Sequence, residues 1–337
     1  MKHSSLVVYL SLAYPPISNY DFTFLKEEKV VQDYLKISRL YMISQRPRLV
    51  FDNVEVDLEE NNIHFEIRQE GTNYTIYGIL PVRQESLLTN LEDEVYVELG
   101  SYNKSYKFNN PPFTNIDGFK FYDKDQKFLA WLTPERLIYE YAHSTIEVSG
   151  LAGWGELFKY KILYIGKSTD EDIWQRLTGH ETLQDILSKE FPLQYGTLPT
   201  HEITLLLFKI NAIENFEVIG NFQDMQHMDK MLNKKLMKNQ FNFKALPDEK
   251  NVFLDAEKAF VNQLNPEYNK VKFKSYPKSK DGLYNENYDI FTYKIREDII
   301  LVCNENEIFG SSIDIESDTI KIINNKEVII SKANRRK

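Results

Sequence analysis

The chain has 337 residues, 42% apolar and 13% aromatic, which excludes a disordered chain and provides for a sizeable core in two or three domains. With 50 acidic against 41 basic residues its net charge is −9, so a surface that is basic all over is excluded. No apolar run reaches membrane-spanning length, and the single cysteine, Cys303, excludes an intrachain disulfide and fits the cytoplasm.

Residues 5–13 read as a first strand; Ser and Pro interrupt the apolar run and no cleavage site follows, which argues against a signal peptide. Residues 27–44 read as an amphipathic helix, because Val30, Val31, Tyr34, Leu35, Ile37, Leu40 and Tyr41 follow the helical period. Arg46-Pro47 ends it. Residues 49–56, 62–69 and 75–81 read as strands separated by turn clusters at Glu60-Asn61-Asn62 and Glu70-Gly71-Thr72-Asn73. Residues 94–100 and 105–108 form a further candidate pair. Residues 1–115 are thus expected to be a strand-rich N-terminal domain with one helix.

A hairpin is expected over 119–131, turning at Asp123-Lys124-Asp125. Thr133-Pro134-Glu135 is a helix start: Thr caps, Pro takes the first helical position, and an acid meets the positive end of the dipole. A strand at 145–148, a Gly/Trp loop and the apolar strand of Ile162, Leu163, Tyr164 and Ile165 follow, ending at Gly166. Arg176, His180 and Gln184 then lie four apart, so one helix would put them on one face, opposite Ile173, Leu177, Leu183, Ile186 and Leu187; Gly179 weakens the helix there, and the alternative is that His180 opens a helix instead of riding its middle. A polar Arg-His-Gln stripe beside a strand end suggests a site for an anion. Residues 203–210 read as a buried strand and 212–250 as a lysine-rich insertion. Residues 255–264 read as a helix with Ala256, Ala259, Phe260 and Leu264 inward and Glu257 off that stripe, stopped by Asn265-Pro266. Residues 276–337 read as a small β-rich extension. The histidines show no metal-ligand pairing, and no nucleophile or phosphate-loop motif is present.

"YIGKS" at 164–168, then Arg176-Leu177, His180, Glu257 and, twelve residues on, Asn269 in "NPEYNK" together resemble the GIY-YIG nuclease family. The resemblance covers about residues 140–275 and implies an α+β fold: a small mixed or antiparallel sheet flanked by helices, here residues 116–275, between the strand-rich terminal domains. No "GIY" triplet stands upstream. Its strand is expected at 145–148 or around Tyr160, with Tyr160 and Tyr141 as substitutes for the missing tyrosine.

The resemblance implies a Mg²⁺-dependent (or other divalent-cation-dependent) DNA endonuclease. Glu257 would hold the metal, since a hard ion takes oxygen donors and keeps most of its waters. Arg176 would clamp two phosphate oxygens. Tyr164 would orient or deprotonate water, although a phenol of ordinary pKa, about 10, is a poor base at neutral pH. His180 would relay a proton or bind phosphate, Lys167 would touch phosphate, and Gly166 and Asn269 would support the site. Two windows free of acidic residues, 230–244 and 270–280, carry five lysines each. Among these, Lys234, Lys235, Lys270, Lys272 and Lys274 are expected on the nucleic-acid backbone. A homo-oligomer or partner protein is allowed, and a membrane is not expected. The second reading is a nuclease-like module that binds nucleic acid or protein without cutting, motivated by the missing triplet and the negative net charge. The first reading requires Tyr164, Arg176 and Glu257 to converge.

Overall fold

The structure, a computed structural model, describes residues 2–82, 95–101, 110–190, 200–219, 246–286 and 288–334. The chain opens with β1 (Lys2–Leu12) and a two-residue strand β2 (Ile17–Ser18), then helices α1 (Asn19–Leu25) and α2 (Lys29–Leu35). The helix expected over 27–44 stops at Leu35, and residues Leu40–Pro47 are strand β3. The run Leu40-Tyr41-Met42-Ile43 is buried on both faces. A strand covered on both sides reads as a continuous apolar run, which periodicity alone does not separate from a helix.

Strands β4 (Leu49–Asp57), β5 (Asn62–Gln69) and β6 (Thr75–Pro81) form an antiparallel sheet, completed by β10 (Ser149–Gly150). Strands β7 (Tyr96–Gly100), β8 (Gly118–Tyr122) and β9 (Phe128–Leu132) form a second. Helix α3 (Pro134–Ala142) starts as the sequence indicates, with the Thr133 hydroxyl accepting from the Arg136 N–H. The strand expected at 145–148 does not form; only Ser149 and Gly150 pair there.

The remaining strands are β11 (Lys159–Lys167), β12 (His201–Ile219), β13 (Ile290–Ile295), β14 (Ile300–Cys303), β15 (Asn306–Phe309), β16 (Thr319–Ile323) and β17 (Glu327–Ser331). They join β1 and β3 in one ten-stranded mixed sheet, ordered β15-β14-β11-β3-β12-β1-β13-β16-β17, with β2 on β12. This overturns the expected small sheet flanked by helices: the sheet is large and curls into a nearly closed barrel. Its N-terminal and C-terminal strands are continuous with the strands of the resemblance, because β1 pairs with both β12 and β13, and β14 pairs with β11. The two sheet edges approach one another through Asp318, which accepts from the Phe309 N–H at 3.0 Å and from Lys332 Nζ at 3.1 Å.

Helix α6 (Glu249–Leu264) contacts β3, β11, β15, β16 and β17. Its buried residues lie all round its axis, as an enclosed helix requires. Val252, Ala256, Phe260 and Leu264 join Leu40, Met42 and Ile162 in the larger core. The other face of β3 belongs to a second core, where Tyr41, Ile43 and Leu163 meet α1, α2, α4 (Ile173–Thr178) and α5 (Glu181–Glu190) through Phe22, Leu35, Leu177 and Ile186. Among the described residues no helix is long and apolar enough to cross a membrane.

Candidate functional site

The site lies at the Gly166 end of β11. This strand pairs antiparallel with β3, with Ile162 opposite Ser44 but Tyr164 opposite Ile43, so Leu163 is an extra residue in the ladder. Such a bulge re-aims the side chains that follow it. Leu163 and Tyr164 consequently share the second core, and Tyr164 meets Tyr41 on that face, ring centroids 6.1 Å apart. Gly166 stands opposite Tyr41. Tyr41, expected inside a helix, is thus a strand tyrosine packed beside Tyr164.

Tyr160 does not join these two. It points to the other core, wholly buried, with Arg46 5.6 Å above its ring. Arg46 bonds Glu135 and, at 2.6 Å, Glu202, so Tyr160 belongs to a buried ionic cluster that ties α3 to β3 and β12. Tyr141 packs edge-on against Trp154 and takes no part.

The expected Arg-His-Gln stripe on one helix is also corrected. Helix α4 ends at Thr178, Gly179 follows as its cap, and α5 begins at Glu181. Arg176 and Gln184 are exposed while His180 is buried, because the break turns His180 inward. Its Nε2 lies 2.7 Å from the Tyr41 hydroxyl, and its Nδ1 accepts from the Leu183 N–H at 3.1 Å. The His180 ring meets Tyr164 edge to face at 5.1 Å. Burial, assisted by the Arg176 charge, pulls His180 down to about 4, so the ring is neutral at pH 7. Arg176 pairs loosely with Glu171 at 3.6 Å, and its charge acts on the Tyr41 phenol. Its side chain is 43% exposed, which leaves guanidinium surface for an anion.

Glu257 projects from α6, which packs on the opposite face of the sheet from α4. Among the described residues, Glu257 makes no hydrogen bond or ion pair with Tyr164 or Arg176, so the three do not meet in direct contact as the nuclease reading requires; only their charges act on one another from the two faces. Lys167 Nζ is 3.8 Å from the Glu257 carboxylate. Burial raises the Glu257 carboxyl to about 6, against the pull of Lys167, Lys258 and Arg176. A carboxylate oxygen is a hard donor of the kind a hard cation takes. Among the described residues no group of three His, Cys, Asp or Glu side chains could cage a metal, so Glu257 would hold one chiefly with waters and substrate oxygens. The Tyr164 phenol is raised by burial first and by Glu257 second.

Asn269 clamps β11. Its Oδ1 accepts from the Ile165 N–H at 2.9 Å and its Nδ2 donates to the Ile165 carbonyl at 2.7 Å. The Tyr268 N–H donates to the Leu163 carbonyl at 3.1 Å. These bonds continue the edge pairing where β14, bonded only to residues 159–161, leaves off. Lys270 and Lys274 are exposed, while Lys272 is half-buried and its ammonium donates to the Pro266 carbonyl at the end of α6. Lys234 and Lys235 lie outside the described residues. The segment that follows is anchored by Asp255, which accepts from Tyr276 at 2.7 Å and Tyr293 at 2.6 Å.

No protein-family model, curated protein or solved structure matches the chain.

Proposed function

We propose that the chain is a divalent-cation-dependent endonuclease of GIY-YIG type that hydrolyses phosphodiester bonds in DNA, carried on a curled sheet in place of a small one. The observation that supports this best is the assembly of Tyr41, Tyr164 and His180 at the end of β11 beside Arg176, with the Lys167–Glu257 pair formed at the same strand end from the other face of the sheet. Surface salt bridges alone would not gather two phenols, a neutral imidazole and a guanidinium at one strand end.

Arg176 holds a non-bridging phosphate oxygen and stabilises the charge that develops there. Tyr164, half-buried and protonated at neutral pH, orients the attacking water through its hydroxyl, and the water's proton passes to solvent. Glu257 and waters hold Mg²⁺, which when bound supplies positive charge to the scissile phosphate. Lys270 and Lys274, following directly on the Asn269 clamp, track the backbone of the strand. The single buried Cys303 suits a reducing, cytoplasmic setting.

The test is incubation of the purified protein with supercoiled plasmid and Mg²⁺. Cleavage is expected, and Arg176→Ala is expected to slow it by about a hundredfold or more, the usual cost of one charge-stabilising donor. Cleavage that persists unchanged in both Arg176→Ala and Glu257→Gln would sink the reading.

A second reading, a DNA-binding module without turnover, draws on the Lys167 ammonium, which already faces Glu257 at 3.8 Å. It differs in outcome: DNA is retained in a gel-shift assay, with affinity falling steeply with salt, and single-turnover cleavage stays at background.

A further inference from the structure

The bonding around His180 has a fixed direction. His180 stands just before α5, and its Nδ1 accepts the Leu183 N–H, as a capping Asp or Ser side chain would. A neutral imidazole carries one N–H, so a ring that accepts at Nδ1 carries its proton at Nε2. Nε2 is the atom 2.7 Å from the Tyr41 hydroxyl, so His180 donates and the Tyr41 oxygen accepts. With its oxygen accepting from His180, the Tyr41 hydroxyl keeps its own proton to give, and the Tyr164 ring is its neighbour, centroids 6.1 Å apart. Tyr41 is wholly buried and Tyr164 is partly exposed.

We propose that His180 is a positioning residue and not a proton acceptor: the cap of α5 locks it as a donor to Tyr41, and Tyr41 in turn donates to Tyr164. This replaces the proton relay that the resemblance implies for His180. It also divides the two phenols, Tyr164 being open to substrate and Tyr41 being its buried hydrogen-bond donor. That Tyr164 meets a phosphodiester rests on the nuclease reading; the direction of the bonds does not.

The test uses the full chain with ¹⁵N-labelled histidine, read by long-range ¹H–¹⁵N spectra. His180 is expected to show a protonated Nε2 and an unprotonated Nδ1 from pH 8 down to pH 5. An Nδ1–H tautomer, or an imidazolium at pH 7, overturns the proposal. In Tyr41→Phe the tautomer is expected to persist, because the Leu183 amide still holds Nδ1, while the Nε2 proton exchanges faster with water. A switch of tautomer in that variant would show that Tyr41 and not the cap sets the direction, and also overturns it. In cleavage assays Tyr41→Phe is expected to lower kcat about tenfold, the worth of one hydrogen bond, with KM unchanged. Unchanged kcat would deny Tyr41 its donor role. The resonances are read without substrate, so failure to cut DNA bears on the nuclease reading alone.

Discussion

Gly166 stands opposite Tyr41 across the β3–β11 ladder, and a methyl group at Gly166 would fall 2.5 Å from the Tyr41 hydroxyl and 2.7 Å from the Tyr164 ring. Neither ring can step aside freely, since Tyr41 is bonded to His180 and enclosed by the second core. Gly166→Ala is therefore expected to separate the two phenols. Overpacking of this kind costs about 1–3 kcal/mol, to be read from urea denaturation. Cleavage is expected to fall more than the stability loss explains, because the folded fraction stays near one. A variant with wild-type cleavage would show that the contact between the phenols has no part in activity.

Glu257 provides the pH dependence of metal binding. With its carboxyl raised to about 6, a proton competes for the oxygens that would meet the cation. Mg²⁺ affinity measured by calorimetry is expected to fall about tenfold for each pH unit below about 6, and to be lost in Glu257→Gln. The same shift acts on the metal-free fold. The folded state holds this proton more tightly than the unfolded chain, whose carboxyl titrates at 4.5, so stability present at low pH is lost as pH rises towards about 6. Above that pH, Glu257→Gln is expected to recover about 2 kcal/mol in the absence of metal.

How much of this could be read from the letters depends on the residue. Thr133-Pro134 and the hairpins follow from local capping and turn chemistry, which act within a few residues. Tyr164, Arg176, His180, Glu257 and Asn269 could be picked out because their types and order resemble a known set. Tyr41 could not, because its partner His180 is 139 residues away and nothing local distinguishes a doubly buried strand from one helical turn more. The nearest thing to a signal was the four-residue apolar run Leu40-Tyr41-Met42-Ile43, which a strand covered on both faces produces as readily as a helix does. Sheet size was likewise hidden, since whether β13 and β16 form a separate unit or extend a barrel depends on pairing with β1 at the far end of the chain.

Asp255 holds the lysine-bearing segment after Asn269. Its carboxylate takes the Tyr276 and Tyr293 hydroxyls and the Leu283 N–H, the last at 3.1 Å. Asp255→Ala leaves three donors without their acceptor in the interior, and such groups cost roughly 1–3 kcal/mol each. A loss of at least about 3 kcal/mol is expected by denaturation. Local release should precede global unfolding, so trypsin is expected to cut at Lys274, Lys278 or Lys280, all exposed, under native conditions where the wild type resists. Wild-type resistance in the variant would mean that the segment is held by other contacts.

His180 sets the acid limit of the fold, with the opposite sign to Glu257. Folded His180 stays neutral down to about 4, whereas in the unfolded chain it takes a proton near 6.5. Below pH 6.5 the unfolded state therefore binds a proton that the folded state refuses. Stability is full above that pH and declines as pH falls towards about 4, by up to about 3 kcal/mol. Between pH 4.5 and about 6 Glu257 works against this decline, as do Asp21 and Asp117, whose carboxyls burial also raises, so the difference between variants and not the wild-type profile isolates His180. Glu257→Gln removes its share of the opposition and should steepen the acid loss. Adding His180→Asn, which keeps a capping oxygen at the start of α5, should flatten it again. Urea midpoints at pH 4.5, 5.5, 6.5 and 7.5 for the wild type, the single and the double variant separate the terms. If the acid slope is the same in all three, His180 is not the group that titrates, and the buried neutral imidazole on which the Tyr41 bond depends is wrong.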